Sequence, residues 1–208
     1  MGKHGISQQA LIEEAARILV DQGLVDYLAA KEKAAARLGL DSQFPLPSNL
    51  QVHDAVVAYQ RLFGGDAYRQ QLLAMRKTAV QAMRLLVDFE PRLVGSTVTG
   101  AIHAGSHVQI HAFSDSPEAL DFLFEDRSIE VEANSRRYRI SGREYREYPL
   151  LHFEAGAIGV DVTIFPETGL RQPPRSPITG QAMQRLKLAA AQALVDTDDS
   201  GEPDTELT

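Results

Sequence analysis

The apolar residues of this chain change period near Pro91, and that change limits its fold more than any single motif does. Before Pro91 they recur three and four apart, the spacing that gives an α-helix one apolar face. Ala10, Leu11, Ala15, Ile18 and Leu19 mark a first helix behind Ser7, a suitable N-cap, with Gly23 placed to end it. A second helix is expected over residues 25–38, carrying Lys31, Lys33 and Arg37, with Gly39 as its stop. Pro45 and Pro47 sit among capping residues, so 41–49 reads as a linker. A third helix is expected over 50–63, broken by Gly64, Gly65 and Asp66. Residues 67–88 form the strongest helical stretch, with Leu72, Leu73, Met75, Ala79, Met83, Leu86 and Val87 on its apolar side, and Pro91 closes it.

Beyond Pro91, Val108, Ile110 and Ala112 alternate with His107, Gln109 and His111, the pattern of a strand with one apolar and one polar face. Ser114 to Glu118 combines capping residues with an early proline and an early acid, so a helix is expected over 119–125. Short β runs are expected at 129–133, 138–140, 150–154 and 158–165. After the proline-rich loop 172–177, a last helix is expected over about 180–194. This order predicts an α+β fold. It divides into an N-terminal helical region, 1–89, an α/β domain with a C-terminal helix, 90–195, and a disordered acidic tail, 196–208.

With 208 residues, 44% of them hydrophobic, the chain can bury a sizeable core. It has no cysteine, so disulfides, thiolate metal sites and a cysteine nucleophile are excluded. No apolar run approaches the roughly 20 residues that span a bilayer, and Met1 to Gly5 lacks a signal-peptide core; a bacterial-type cytoplasmic protein is expected. The net charge of −7 comes largely from Asp196, Asp198, Asp199, Glu202, Asp204 and Glu206. Taking those six from 28 acids leaves 22 against 21 Lys and Arg, too balanced for a general nucleic-acid binder.

Leu93-Val94-Gly95-Ser96 carries an apolar strand into a Gly-Ser turn, and His107 follows eleven positions after Ser96. Downstream, Gly159-Val160-Asp161-Val162 places one carboxylate in an apolar run. Glycine lets a backbone approach a phosphate, whose oxygens accept from backbone N–H and serine hydroxyl. Over about residues 90–165 this arrangement resembles the polymerase-beta-like nucleotidyltransferase superfamily. There a strand runs into Gly-Ser, a second strand presents two acids at alternate positions, and a later strand supplies a third. His107 and Gln109 stand where the paired acids belong, and only Asp161 remains. The resemblance implies a nucleotidyltransferase-like mixed sheet with flanking helices. Gly95 and Ser96 would then be nucleotide-binding, His107 and Gln109 former metal positions, and Asp161 the remaining catalytic acid.

Enzymes of that superfamily hold two divalent ions, usually magnesium, which demand oxygen ligands. Imidazole prefers zinc, nickel or copper, and a neutral amide offsets no charge, so standard two-metal transfer is not expected here. A metal on His107 or Asp161 stays open, with Glu154 a further ligand candidate. His107 and His111 stand about 13 Å apart in an extended strand, too far to clasp one ion. The arginines at 127, 136, 137, 139, 143 and 146 interleave with Glu130, Glu132, Glu144 and Glu147 and read as a solvated hairpin. Tyr138, Tyr145 and Tyr148 read as cross-strand packing. No Gly-x-Ser-x-Gly, His-Glu-x-x-His or P-loop pattern occurs.

The expected function is nucleotide or partner binding by a nucleotidyltransferase-like protein without two-metal catalysis. One alternative is an active magnesium-dependent nucleotidyltransferase with relocated ligands, using Asp161 with Glu154 or Asp115. The other is an interaction protein that meets a protein partner through its N-terminal helices.

Overall fold

In the computed structural model, which describes residues 8–200, α1 (Gln8–Gln22) gathers Leu11, Ile12, Ala15, Ala16, Ile18 and Leu19 into one buried stripe. Ser7, the expected N-cap, lies outside the described residues. Helix α2 (Tyr27–Arg37) starts where the Asp26 carboxylate accepts the Leu28 and Ala29 N–H groups. Helix α3 (Asn49–Phe63) starts with a reciprocal capping box between Ser48 and Gln51. α1 packs on both, and Ala30 and Ala34 of α2 and Val52 and Val56 of α3 are buried. Buried Lys31 donates to the Pro47 carbonyl at 3.1 Å and to Asn49 Oδ1 at 2.9 Å, which ties the proline linker to α2. Residues 8–68 with 177–179 form one compact unit, and 69–176 with 180–200 form another.

Helix α4 (Gly65–Leu85) brings Met75, Ala79, Val80 and Met83 into the core of the second unit. That unit is built on a five-stranded mixed sheet in the order β1-β2-β5-β4-β3. β1 (Arg92–Val94) is antiparallel to β2 (Val108–Phe113), and α5 (Ser96–Thr99) lies between them in sequence. β2 runs parallel to β5 (Ile158–Phe165), which is antiparallel to β4 (Glu144–Ala155). β4 in turn pairs with β3 (Glu132–Ser141). Helix α6 (Glu118–Asp126) sets Phe124 against Phe153, with ring centroids 5.2 Å apart. The α+β class, the mixed sheet with flanking helices and the helical N-terminal region are as the sequence predicts. No helix among the described residues is long and apolar enough to cross a membrane.

Three elements, β3, β4 and α7, differ from their sequence expectations. β3 and β4 are one long hairpin rather than short runs, because cross-strand pairs such as Arg137 opposite Glu147 extend the ladder beyond its apolar part. The last helix, α7, covers Leu188–Ser200 and not 180–194. Leu186 exchanges both backbone hydrogen bonds with Leu93 at 2.9 Å, which holds the chain extended alongside β1 until α7 begins. α7 then continues past Asp196, and Asp198 reaches the buried guanidinium of Arg76 at 2.7 Å. Residues 201–208 of the acidic tail lie outside the described residues.

The sheet has two unlike faces. Leu93, Val108, Ile110, Val160, Val162, Leu151 and Phe153 point to one side and are all buried. Full burial of such side chains is worth about 1.5–3 kcal/mol each. The opposite face is divided. Phe113, Phe165 and Tyr138 form a cluster there with Tyr148, Leu170 and Met183 against it. The other half of this face carries Gln109, Asp161, His152 and, just before β2, His107.

Candidate functional site

Strand register places Val94, Gln109, Asp161 and His152 in one row across four strands. Gly95 follows Val94 with φ of +78°, a conformation that favours glycine. A Cβ on Gly95 would fall 2.7 Å from Gln109 Oε1, so the Gly-Ser turn lies against the Gln109 side chain. Ser96 opens α5, and its carbonyl accepts the Gly100 N–H at 2.7 Å.

Asp161 is the hub of the row. The residue is 5% exposed, and its Oδ1 accepts from His152 Nδ1 at 2.8 Å and from His107 Nδ1 at 3.1 Å. Its Oδ2 accepts from Arg136 at 2.8 Å. Burial alone would raise the Asp161 pKa, but the His152 hydrogen bond, the Arg136 charge and His107 together hold it below the usual carboxylate value. The second ring nitrogen of His152 faces Glu154 Oε1 at 3.2 Å. Carboxylates only accept, so His152 is the donor to Asp161, and that hydrogen bond raises its pKa against partial burial. The centre of the site is one carboxylate enclosed by a guanidinium and two imidazoles.

His111 belongs to the covered half of the face. It is fully buried, with Nδ1 accepting from Arg185 Nε at 3.0 Å and Nε2 beside the Tyr138 hydroxyl at 3.1 Å. Because arginine only donates, Nε2 carries the proton and donates to Tyr138, whose hydroxyl lies 3.2 Å from Thr163 Oγ1. Burial, then the charges of Arg185 and Arg136, push its pKa well down. Arg185 also donates to the Gly169 carbonyl at 2.7 Å and lies over the Phe113 and Phe165 rings, 4.9 Å from each. Desolvation lowers its pKa to about 10. The expectation of histidines on a half-exposed polar strand is therefore corrected at His111, because the chain after β5 folds over that end of the sheet.

Of the residues singled out in the sequence, Gly95 meets Gln109, Gln109 pairs in register with Asp161, and His107 bonds Asp161. Two members of the cluster were not foreseen as such. His152 arrives through the β4–β5 register, and Arg136, expected on a solvated hairpin, reaches Asp161 from β3. Tyr138 and Tyr148 pack against Phe165, as expected of strand tyrosines.

A pair of magnesium ions does not fit these residues. The row offers one carboxylate, already paired with a guanidinium and two imidazoles, where two hard dications would need several oxygen ligands. Neither a protein-family model nor a curated protein matches the chain. A solved structure of the GLD-2/RNP-8 complex is a distant neighbour, with a TM-score of 0.29 and 16% identity over 50% of this chain. The match spans 43% of that neighbour's chain.

Proposed function

We propose that this chain is a nucleotidyltransferase-like protein that binds a nucleotide through its β-sheet unit and does not carry out two-metal nucleotidyl transfer. The observation behind this is the state of Asp161, whose two oxygens are taken by His107, His152 and Arg136. Arg136 supplies positive charge there, and the two imidazoles add N–H donors on the same side of the sheet. Gly95 and Ser96 would receive the phosphate, since the turn lies one side chain away from Asp161 through Gln109. Incubation with each of the four ribonucleoside triphosphates and magnesium tests the absence of transfer. No pyrophosphate above background is expected. Release that disappears in Asp161→Ala would instead support an active enzyme with relocated ligands.

A second role in protein binding draws support from the helical unit, where Val25, Leu28, Leu62 and Phe63 are all exposed. Light scattering of the whole chain and of Leu62→Ser/Phe63→Ser tests it: a self-associated state that the double variant loses would support the role, and an unchanged monomer would count against self-association.

A further inference from the structure

We propose that His107, His152 and Asp161 form a site for one zinc ion whose fourth position opens to solvent. Each residue offers one ligand atom, and the three atoms lie within 4.8 Å of one another. Both histidine Nδ1 atoms already converge on Asp161 Oδ1, at 2.8 and 3.1 Å. Zinc holds nitrogen and oxygen at about 2.0–2.1 Å, which sets tetrahedral ligands about 3.3 Å apart. An ion replacing the shared protons thus requires side-chain adjustment rather than backbone movement.

The surroundings support the same assignment. Glu154 faces the other nitrogen of His152 at 3.2 Å, the carboxylate–histidine–metal arrangement that fixes a ligand's tautomer. Arg136 holds Asp161 by Oδ2 and leaves Oδ1 to the ion. A Cβ at Gly159 would come within 2.8 Å of the His107 ring and 2.9 Å of the His152 ring, so glycine there makes room for both. The rings lie 4.8 Å apart between centroids. The His107 side chain is 41% exposed, which leaves one side of the cluster to water or to an anionic ligand. Two imidazoles with one carboxylate suit zinc and not magnesium or calcium. Zinc binding goes beyond the nucleotide proposal and does not depend on it.

The test is a calorimetric titration of the whole, chelator-treated protein with zinc sulfate and no nucleotide, with cobalt(II) absorption in the visible as a second readout. One ion per chain is expected, with an intense visible cobalt band. Affinity should fall by about 10-fold or more in His107→Ala and His152→Gln, by about 10-fold in Glu154→Gln, and not at all in His103→Ala. His107 is half-exposed, so its variant should keep the wild-type unfolding midpoint. The proposal is overturned if wild type shows no saturable uptake, or if the folded His107→Ala and His152→Gln variants bind as tightly as wild type. A null result with zinc leaves nucleotide binding untouched, and the reverse holds as well.

Discussion

His152 Nδ1 and Asp161 Oδ1 stand 2.8 Å apart at directly opposed positions of the antiparallel β4–β5 ladder. This contact carries the site from β2 and β5 onto β4, and Arg136 extends it to β3. Removal of the carboxylate charge would leave three donors facing one another. Asp161→Asn is expected to lower stability by about 1–3 kcal/mol in urea unfolding, below the full cost of breaking a buried pair because Arg136 and His107 are partly solvated. An unchanged midpoint would show that the hub adds nothing to the fold.

A fully buried neutral histidine makes stability fall on acidification. The folded-state pKa of His111 lies well below its unfolded value of 6.5, first through burial and then through Arg185 and Arg136. Below about pH 6.5 the unfolded chain takes up a proton that the native state refuses, so this contribution is present above that pH and lost as pH falls toward the folded pKa. Denaturant unfolding between pH 7 and 5 should show a shallower pH slope in His111→Asn, by up to about 1.4 kcal/mol per pH unit. Parallel slopes would place the acid sensitivity elsewhere.

Asp198 should matter although the sequence pattern assigns it to the acidic tail, because it lies in α7. Its partner Arg76 is buried to 1% exposure and also donates to the Thr97 and Val98 carbonyls at 3.2 and 3.3 Å. Asp198→Ala is expected to cost about 3 kcal/mol by removing a carboxylate that faces that buried guanidinium. The neighbouring pair Lys77–Asp199 is exposed, so Asp199→Ala should change stability by less than about 1 kcal/mol. Equal effects of the two variants would contradict this assignment.

Gly95 is constrained by its backbone and by a neighbour. Gly95→Ala meets a φ of +78° and a contact of 2.7 Å with Gln109 Oε1, for an expected loss of about 1–3 kcal/mol. Gln109→Ala should relieve the contact but not the backbone strain, so a double-mutant cycle should return a coupling above about 0.5 kcal/mol. Simple additivity would mean that the turn does not rest on Gln109.

The helices, the Gly95–Ser96 turn and the alternation of β2 were legible in the sequence because they are local, and Asp161 through the resemblance alone. The change of period at Pro91 separates helices from strands, and the Gly95–Ser96 turn, His107, Gln109 and Asp161 occupy neighbouring places, with Gln109 opposite Asp161. His152 and Arg136 were hidden because register across β3, β4 and β5 depends on pairing between distant segments, which no local pattern encodes. Alternating charge along the hairpin made Arg136 look like its solvated neighbours. His111 looked like His107 for a similar reason: nothing within β2 distinguishes a polar face left open from one that residues 166–187 later cover. The start of α7 was obscured by the backbone bonds between Leu186 and Leu93.

Calorimetric titration with ATP in a chelating buffer, repeated with magnesium, tests the central claim most directly. The expected result is saturable one-to-one binding in both buffers, weakened about 10-fold or more in Ser96→Ala, since a lost hydrogen bond to a charged oxygen is worth about 1.5–3 kcal/mol. Absence of binding heat in either buffer, or binding that appears only with magnesium, would contradict it.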